Sequence, residues 1–489
     1  PTQNSDIQLI QSNQSNVDDR NKADNLAYIR SQGQGGMVLK GADASGIVQQ
    51  IMPGLVNRGN PSDYLSNVLD LTVNNDNVDS QNTFYISQIG GSWLVMNVDG
   101  ENNTVRIADL AGIGFEKANA QDMTTDDAQA PAQATNINIT GDYNELTLTP
   151  NIIGNIARKM QVTMDEGEGL NQYNVINISY SDFSDIVTKL SNASYSTIDV
   201  TQTDFTGDVD DVSSNPNIVF IDVMDADNTT VVLNQTGLGN EARLNVTNDF
   251  NSITLTQESA AEHSRDYASI NIDGHNNSVT ARQNTRTDDH GYNHTFINVQ
   301  NGDDNVIDIF QESRLDMNDI FVSIANGDKN TINVDQTTDS FGWSLIDVNI
   351  DNGFRNNVSI FQSSFDYDFH DSFAHLRING SDNKVNVDQS SGDKYFMDFS
   401  HHNWLDLDIT GDQNRFKIKN DWLDSNLSVD SITSINGNHN AITFSNLDEL
   451  FALDPFRSSN FYSVMNITGD FNTITALSDA GENDFLNIL

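Results

Sequence analysis

Along most of the chain apolar residues alternate one-for-one with polar ones in short runs, and the runs come in pairs around a fixed punctuation. One such phrase reads Ile137-Asn-Ile139, then Gly141-Asp-Tyr-Asn144, then Leu146-Thr-Leu148. Alternation with period two is the mark of a strand that buries one face. In Gly-x-x-Asn, Gly supplies a left-handed backbone for a tight corner, and Asn tolerates that conformation or bonds its own backbone.

The phrase recurs with corners at Gly274/Asn277, Gly302/Asn305, Gly327/Asn330, Gly353/Asn356, Gly380/Asn383, Gly411/Asn414, Gly437/Asn440 and Gly469/Asn472. Earlier copies stand at Gly100/Asn103 and Gly237/Asn240, and Asn248/Asn251 places Asn where Gly is usual. From Gly274 onward the glycines are 25 to 32 residues apart. A single strand pair cannot bury its own apolar face, so the repeats must stack on one another. The predicted fold is therefore all-β, a stacked, β-helix-like β-solenoid of strand–tight turn–strand repeats. Gly141, Gly274, Gly380, Gly411 and Gly469 follow the last apolar residue by two positions, whereas Gly302, Gly327 and Gly353 follow it by three. The second class is expected to carry a one-residue bulge before the corner.

The regularity varies along the chain. Residues 217–489 read as the regular solenoid, 91–216 as irregular β repeats with exposed loops, and 1–90 as an N-terminal β region. Segments 258–267 and 363–373 read as loops on the far edge of their repeats, and 118–134 and 158–174 as exposed loops or linkers.

A second register lies six residues after the corner Asn, where Gln257, Gln283, Gln311, Gln336, Gln362 and Gln389 stand in six successive repeats. The even offset puts each Gln on the apolar, inward face. An inward amide needs partners. Rungs roughly 4.8 Å apart let each bond the identical one above and below, as an amide ladder.

These residues resemble the curlin family, the subunits of bacterial curli fibres. Ser5-x5-Gln11-x4-Asn16 matches the first part of the curlin pattern, Gln235-Thr-Gly237-Leu-Gly239-Asn240 matches its turn, and the Asn-x5-Gln half recurs as described. The resemblance implies a β-solenoid subunit, secreted through an outer membrane, that polymerises into fibres of a biofilm matrix. The chain departs from that pattern in its greater length, in longer and variable segments between turns, and in Ile or Val where the first-strand Gln would stand.

Composition narrows the function classes. With 70 Asp and Glu against 24 Lys and Arg, the formal charge is −46, a field that repels nucleic acid and anionic membranes and attracts divalent cations or basic partners. The absence of cysteine removes disulfides and thiol chemistry, and no apolar run is long enough to span a membrane as a helix. A chain opening Pro1-Thr2-Gln3 is expected to be already processed and secreted.

Asp142, Asp303, Asp328, Asp412 and Asp470 each follow a corner Gly. Stacked corners would align these carboxylates, making them candidate calcium ligands, although neither a calcium nonapeptide nor an EF-hand loop is present. Solvated turn residues are the plainer reading. The nine His show no metal-binding spacing. The cluster at 365–371 and the dispersed Trp93, Trp343, Trp404 and Trp422 offer at most a carbohydrate-binding loop. No nucleophile elbow, P-loop or dinucleotide fingerprint occurs, so no enzyme activity and no required cofactor are expected.

The expected function is a structural subunit of an extracellular filament or biofilm matrix that assembles head-to-tail by strand-edge pairing, its partners being copies of itself. Strand-like segments at 7–11 and 485–489 suit such pairing. The alternative is a β-helical adhesin that binds surface polysaccharide through its inter-rung loops.

Overall fold

The structure is a computed structural model. It describes residues 5–12, 25–32, 36–38, 66–74, 82–89, 91–99, 103–111, 134–149, 158–164, 173–181, 184–191, 194–203, 217–237, 239–259, 265–285, 292–313, 317–338, 342–364, 370–391, 402–422, 428–447, 460–470, 472–478 and 485–488. Every regular element among them is a strand, so no helix there is long and apolar enough to cross a membrane. The protein is an all-β solenoid built of parallel sheets. It divides into two compact units, 1–237 with 241–245, and 246–489 with 238–240.

In the second unit a rung runs from a leading strand through a Gly-x-x-Asn corner, or Asn-x-x-Asn at 248–251, into a trailing strand. Leading strands stack only on leading strands. Arg265–Asp273, Tyr292–Gln300, Asn318–Ala325, Gly342–Asp351, His370–Asn379 and His402–Thr410 pair in parallel in that order. The series continues through Ser428–Asn436, Asn460–Thr468 and Phe485–Ile488. The trailing strands form a second parallel sheet, Ser252–Ser259, Ser278–Thr285, Val306–Ser313, Thr331–Thr338, Asn357–Ser364 and Lys384–Ser391. It extends through Arg415–Trp422, Ala441–Leu447 and Thr473–Ser478.

The first unit repeats the plan. Its leading strands run from Asn25–Gln32 and Ser66–Asn74 to Ser184–Ser191 and Asn217–Met224. Its trailing strands run from Ser5–Ser12 and Asn82–Ile89 to Thr197–Thr203 and Thr230–Gly237. One antiparallel pair, Gly36–Val38 on Asn25–Gln32, departs from the scheme.

Period two and in-register stacking together place like residues over like. Ile253, Val279, Ile307, Ile332, Val358 and Val385 form one buried column of the trailing sheet, and Ile272, Val299, Ile324, Ile350 and Ile378 one of the leading sheet. Burying each such side chain contributes roughly 1.5–3 kcal/mol, and β-branched residues suit a pleated surface packed on both sides by neighbours.

Several expectations are corrected. Gly237 and Asn240 do not form a corner between leading and trailing strands. Gly237 ends the trailing strand Thr230–Gly237 and Asn240 opens the leading strand Asn240–Thr247, so the pair sits at the return bend on the opposite edge. Segment 158–174 is not wholly loop, because Arg158–Met164 is a leading strand with Val162 buried. Segments 258–267 and 363–373 hold strand at 258–259, 265–267, 363–364 and 370–373, and 260–264 and 365–369 lie outside the described residues. Inward positions near the return bend are polar (Ser259 and Asp266 in the first), so hydrophobic alternation fades while the strand continues.

The extra residue of the second corner class also sits elsewhere than expected. Ile272 pairs with Val299 and Asp273 with Gln300 without a break in register, so the strand carries no bulge and the corner itself absorbs the residue. Glycine accordingly has two reasons to be there. Gly411 lies at φ 134°, beyond the reach of most side chains. In the longer corners Asn301, Asn326 and Asn352 take the left-handed conformation instead, with φ 51–57°. There Gly is needed for close approach, since a Cβ on Gly353 would fall 2.5 Å from Asn356 Nδ2 and 2.7 Å from the Gly327 carbonyl oxygen.

Candidate functional site

Three lines of polar residues hold one rung to the next. The corner Asn comes first. Asn277, Asn305, Asn330, Asn356, Asn383, Asn414 and Asn440 are buried, and all do two jobs except Asn440, whose Nδ2 has no partner among the described residues. The backbone N–H of Asn305 donates to Asn330 Oδ1 (2.8 Å), that of Asn330 to Asn356 Oδ1 (2.8 Å), and that of Asn356 to Asn383 Oδ1 (2.9 Å). The series runs from Asn251 to Asn472 through Asn277, Asn383, Asn414 and Asn440. In return Asn330 Nδ2 donates to the Gly302 carbonyl (3.0 Å) and Asn356 Nδ2 to that of Gly327 (3.1 Å). The same bond recurs from Asn305 to Gly274, Asn383 to Gly353, Asn414 to Gly380 and Asn472 to Gly437. One amide thus satisfies two backbone groups that the corner would otherwise bury unpaired.

In the first unit Asn144 N–H donates to Asn174 Oδ1 (2.8 Å), and Asn174 N–H to Ser196 Oγ (3.1 Å). Ser196 and Thr229 therefore stand in corner positions that carry no Gly-x-x-Asn. Sequence reasoning missed both because a hydroxyl replaces the amide.

The residue just before the corner Asn is left-handed in every described corner and is never Gly, from Tyr143 (φ 58°) to His439 (φ 59°). In the first unit these positions hold Tyr143, Tyr173 and Tyr195, stacked at 4.9 and 5.2 Å between ring centroids.

The inward Gln residues form the second line of bonds. Gln283 Nε2 donates to Gln257 Oε1 (2.8 Å), Gln311 to Gln283 (2.7 Å), Gln336 to Gln311 (3.1 Å) and Gln362 to Gln336 (2.9 Å). Each amide also crosses the core. Gln336 Nε2 reaches the Asn318 carbonyl (2.8 Å), and Gln362 Nε2 that of Ser344 (3.1 Å), tying trailing to leading strands. The side chain of Gln389 lies outside the described residues, although its backbone pairs with Gln362 in register. In the first unit Gln235 Nε2 bonds Gln202 Oε1 (3.0 Å), two members that lack the Asn six residues upstream.

A third polar line, at the return bend, was not anticipated. Asn240, Asp266, Asn293 and Asn318 are buried there. Asn240 Nδ2 donates to Asp266 Oδ1 (2.8 Å) and Asn293 Nδ2 to Asn318 Oδ1 (3.0 Å). Asp266 also accepts from Ser259 Oγ (2.6 Å), yet its Oδ2 has no partner among the described residues. Burial pushes its carboxyl from 3.8 up to about 7, against the opposing hydrogen bonds. The signal lay in plain view: these Asx residues keep the same period-two phase as the Ile positions that follow them.

In the second unit the turn aspartates line one ridge. Asp303 Oδ1 accepts from the Asp328 N–H (2.7 Å), Asp328 Oδ1 from the Phe354 N–H (2.9 Å), and Asp412 Oδ1 from the Asn438 N–H (2.6 Å). Asp470 donates its N–H to Asn438 Oδ1 (2.7 Å), and Asp142 occupies the equivalent corner position in the first unit. One oxygen of Asp303, Asp328 and Asp412 is thus spent on the next rung's backbone. Among the described residues no three His, Cys, Asp or Glu side chains cluster so as to hold a metal ion. The aromatic cluster at 365–371 falls mostly on residues outside the described set.

What the site offers chemically is recognition of like by like along the stacking axis. No protein-family model, no curated protein and no solved structure matches the chain.

Proposed function

We propose that the chain is a structural subunit of an extracellular filament or biofilm matrix, a curlin-type protein in this reading, whose copies join by pairing a rung of one on a rung of the next. The observation that supports this is the homotypic character of the axial bonds. The backbone N–H of Asn305 donates to the Asn330 side chain and the Gln336 side chain donates to that of Gln311, so like residues meet in successive rungs. The interface between successive rungs is therefore one that a rung of another copy also presents. The backbone groups of a strand edge would add partners in register, and head-to-tail repetition of such a contact gives an open filament. Outward aspartates on the corner ridge keep lateral association in check.

Electron microscopy of the purified chain, with and without millimolar calcium, tests the reading. Regular unbranched filaments are expected. A calcium requirement would assign Asp142, Asp303, Asp328, Asp412 and Asp470 a ligand role. Monodisperse particles in both conditions would overturn self-assembly and favour an adhesin.

A further inference from the structure

The outward face of the trailing sheet carries a column whose order is unlike its neighbours. In register it reads Arg282, Phe310, Asp335, Phe361 and Asp388. Phe310 and Phe361 are two rungs apart, about 9.6 Å, with the shorter Asp335 between them. A groove of about 310 Å³ opens there, lined also by Asp308 and Asn333.

Each wall has a distinct chemistry. Phe361 is 41% exposed, a large apolar surface held open to solvent. The far face of Phe310 already holds a guanidinium, with Arg282 Cζ 5.8 Å from the ring centroid. Asp308 is occupied by Asn333 Nδ2 at 2.7 Å. Asp335 is not: its Oδ1 is buried and has no hydrogen-bond partner among the described residues. Burial raises the Asp335 carboxyl above its ordinary value, so a cation brought beside it would favour the ionised form.

We infer that this slot binds an arginine side chain of a partner polypeptide, stacked between Phe310 and Phe361 with its guanidinium on Asp335. A planar cation midway between the rings lies about 4.8 Å from each, inside the range of cation–π attraction. The guanidinium fork also gives the accessible side of the Asp335 carboxylate a counter-charge and donors. Lysine, a compact and strongly hydrated charge, fits the flat space less well. The formal charge of −46 draws a basic segment toward the surface. The inference stands independently of filament formation.

The test is fluorescence anisotropy of the full chain with a labelled Gly/Ser peptide carrying one arginine, against the same peptide carrying citrulline or lysine. The arginine peptide should bind about tenfold more tightly than the citrulline one, the equivalent of ~1.4 kcal/mol. Asp335→Asn and Phe361→Ala should each weaken it about tenfold while leaving the melting temperature within a few degrees. Asp347→Asn, on the outer face of the leading sheet, should change nothing. Equal binding of arginine and citrulline peptides, no arginine-dependent signal up to millimolar peptide, or equal losses in Asp335→Asn and Asp347→Asn would overturn the assignment. A methyl hexoside that displaces the arginine peptide from the wild type but not from Phe361→Ala would reassign the slot to a sugar ring.

Discussion

Asp266 is the one described residue at which the solenoid buries an acid, and its replacement by Asn should stabilise the protein in a way that depends on pH. At the same depth in neighbouring rungs stand Asn240, Asn293 and Asn318, neutral amides with paired donors. In Asp266→Asn the new Nδ2 would meet the Asn284 carbonyl and Asn293 Oδ1, as Asn293 Nδ2 meets the Glu312 carbonyl and Asn318 Oδ1. The carboxyl is raised from 3.8 to about 7. Below pH 3.8 it is protonated in both folded and unfolded chains and costs nothing. Between 3.8 and 7 the folded state holds a proton that the unfolded state has lost, so stability falls as pH rises. Above 7 the full penalty remains, up to about 4 kcal/mol by linkage. Urea denaturation of wild type and Asp266→Asn at several pH values between 4 and 9 measures the difference. The variant's advantage should grow with pH and level off above 7. Subtracting one protein from the other removes the pH response of the remaining acids. An advantage that is constant across the range, or that shrinks with rising pH, would refute the reasoning.

Three further outcomes follow from the ladders. Asn330→Ala leaves the Asn305 N–H and the Gly302 carbonyl without their partner and should cost about 2–4 kcal/mol in urea titration, with Asn330→Ser recovering part because Ser196 fills that role in the first unit. Gln311→Leu removes the link between Gln283 and Gln336 and strands the facing amide groups, and should cost roughly 2–3 kcal/mol, read as faster local hydrogen exchange at residues 306–313. Gly353→Ala places a methyl group against Asn356 Nδ2 and the Gly327 carbonyl, so it should destabilise by roughly 2 kcal/mol or more, whereas the neighbouring exposed Asn352→Gly should be nearly silent.

The solenoid was legible because its two rules are local. Period-two alternation locates strands such as Val306–Ser313, and Gly-x-x-Asn locates corners such as 274–277. The inward Gln register was legible for a related reason, since an even offset from a fixed corner decides which face a side chain takes. The corner at Ser196 and the return-bend line through Asp266 were hidden by the same mechanism. Both put polar side chains inward, where a hydrophobicity pattern shows only an interruption. Gly237/Asn240 misled for the opposite reason, because a glycine-rich tight bend reads alike on either edge of a rung. The slot at Asp335 could not be read at all. Its column joins residues 25 or more positions apart, and nothing but the stacking register brings Phe310 and Phe361 to either side of an acid.

The corner amides, finally, bear on how such a gene can change length. Each Asn bonds only its immediate neighbour, and Asn277, Asn305 and Asn330 present the same groups in the same places. Excising one repeat, residues 305–329, would bring Asn330 into the place of Asn305, over Asn277, with strand phase and corner geometry unchanged. Loss or gain of a single residue within a strand would instead turn its apolar side outward. Recombination between repeats is therefore the mild event and point insertion the severe one. Copy number is accordingly the dimension along which this architecture can drift most freely.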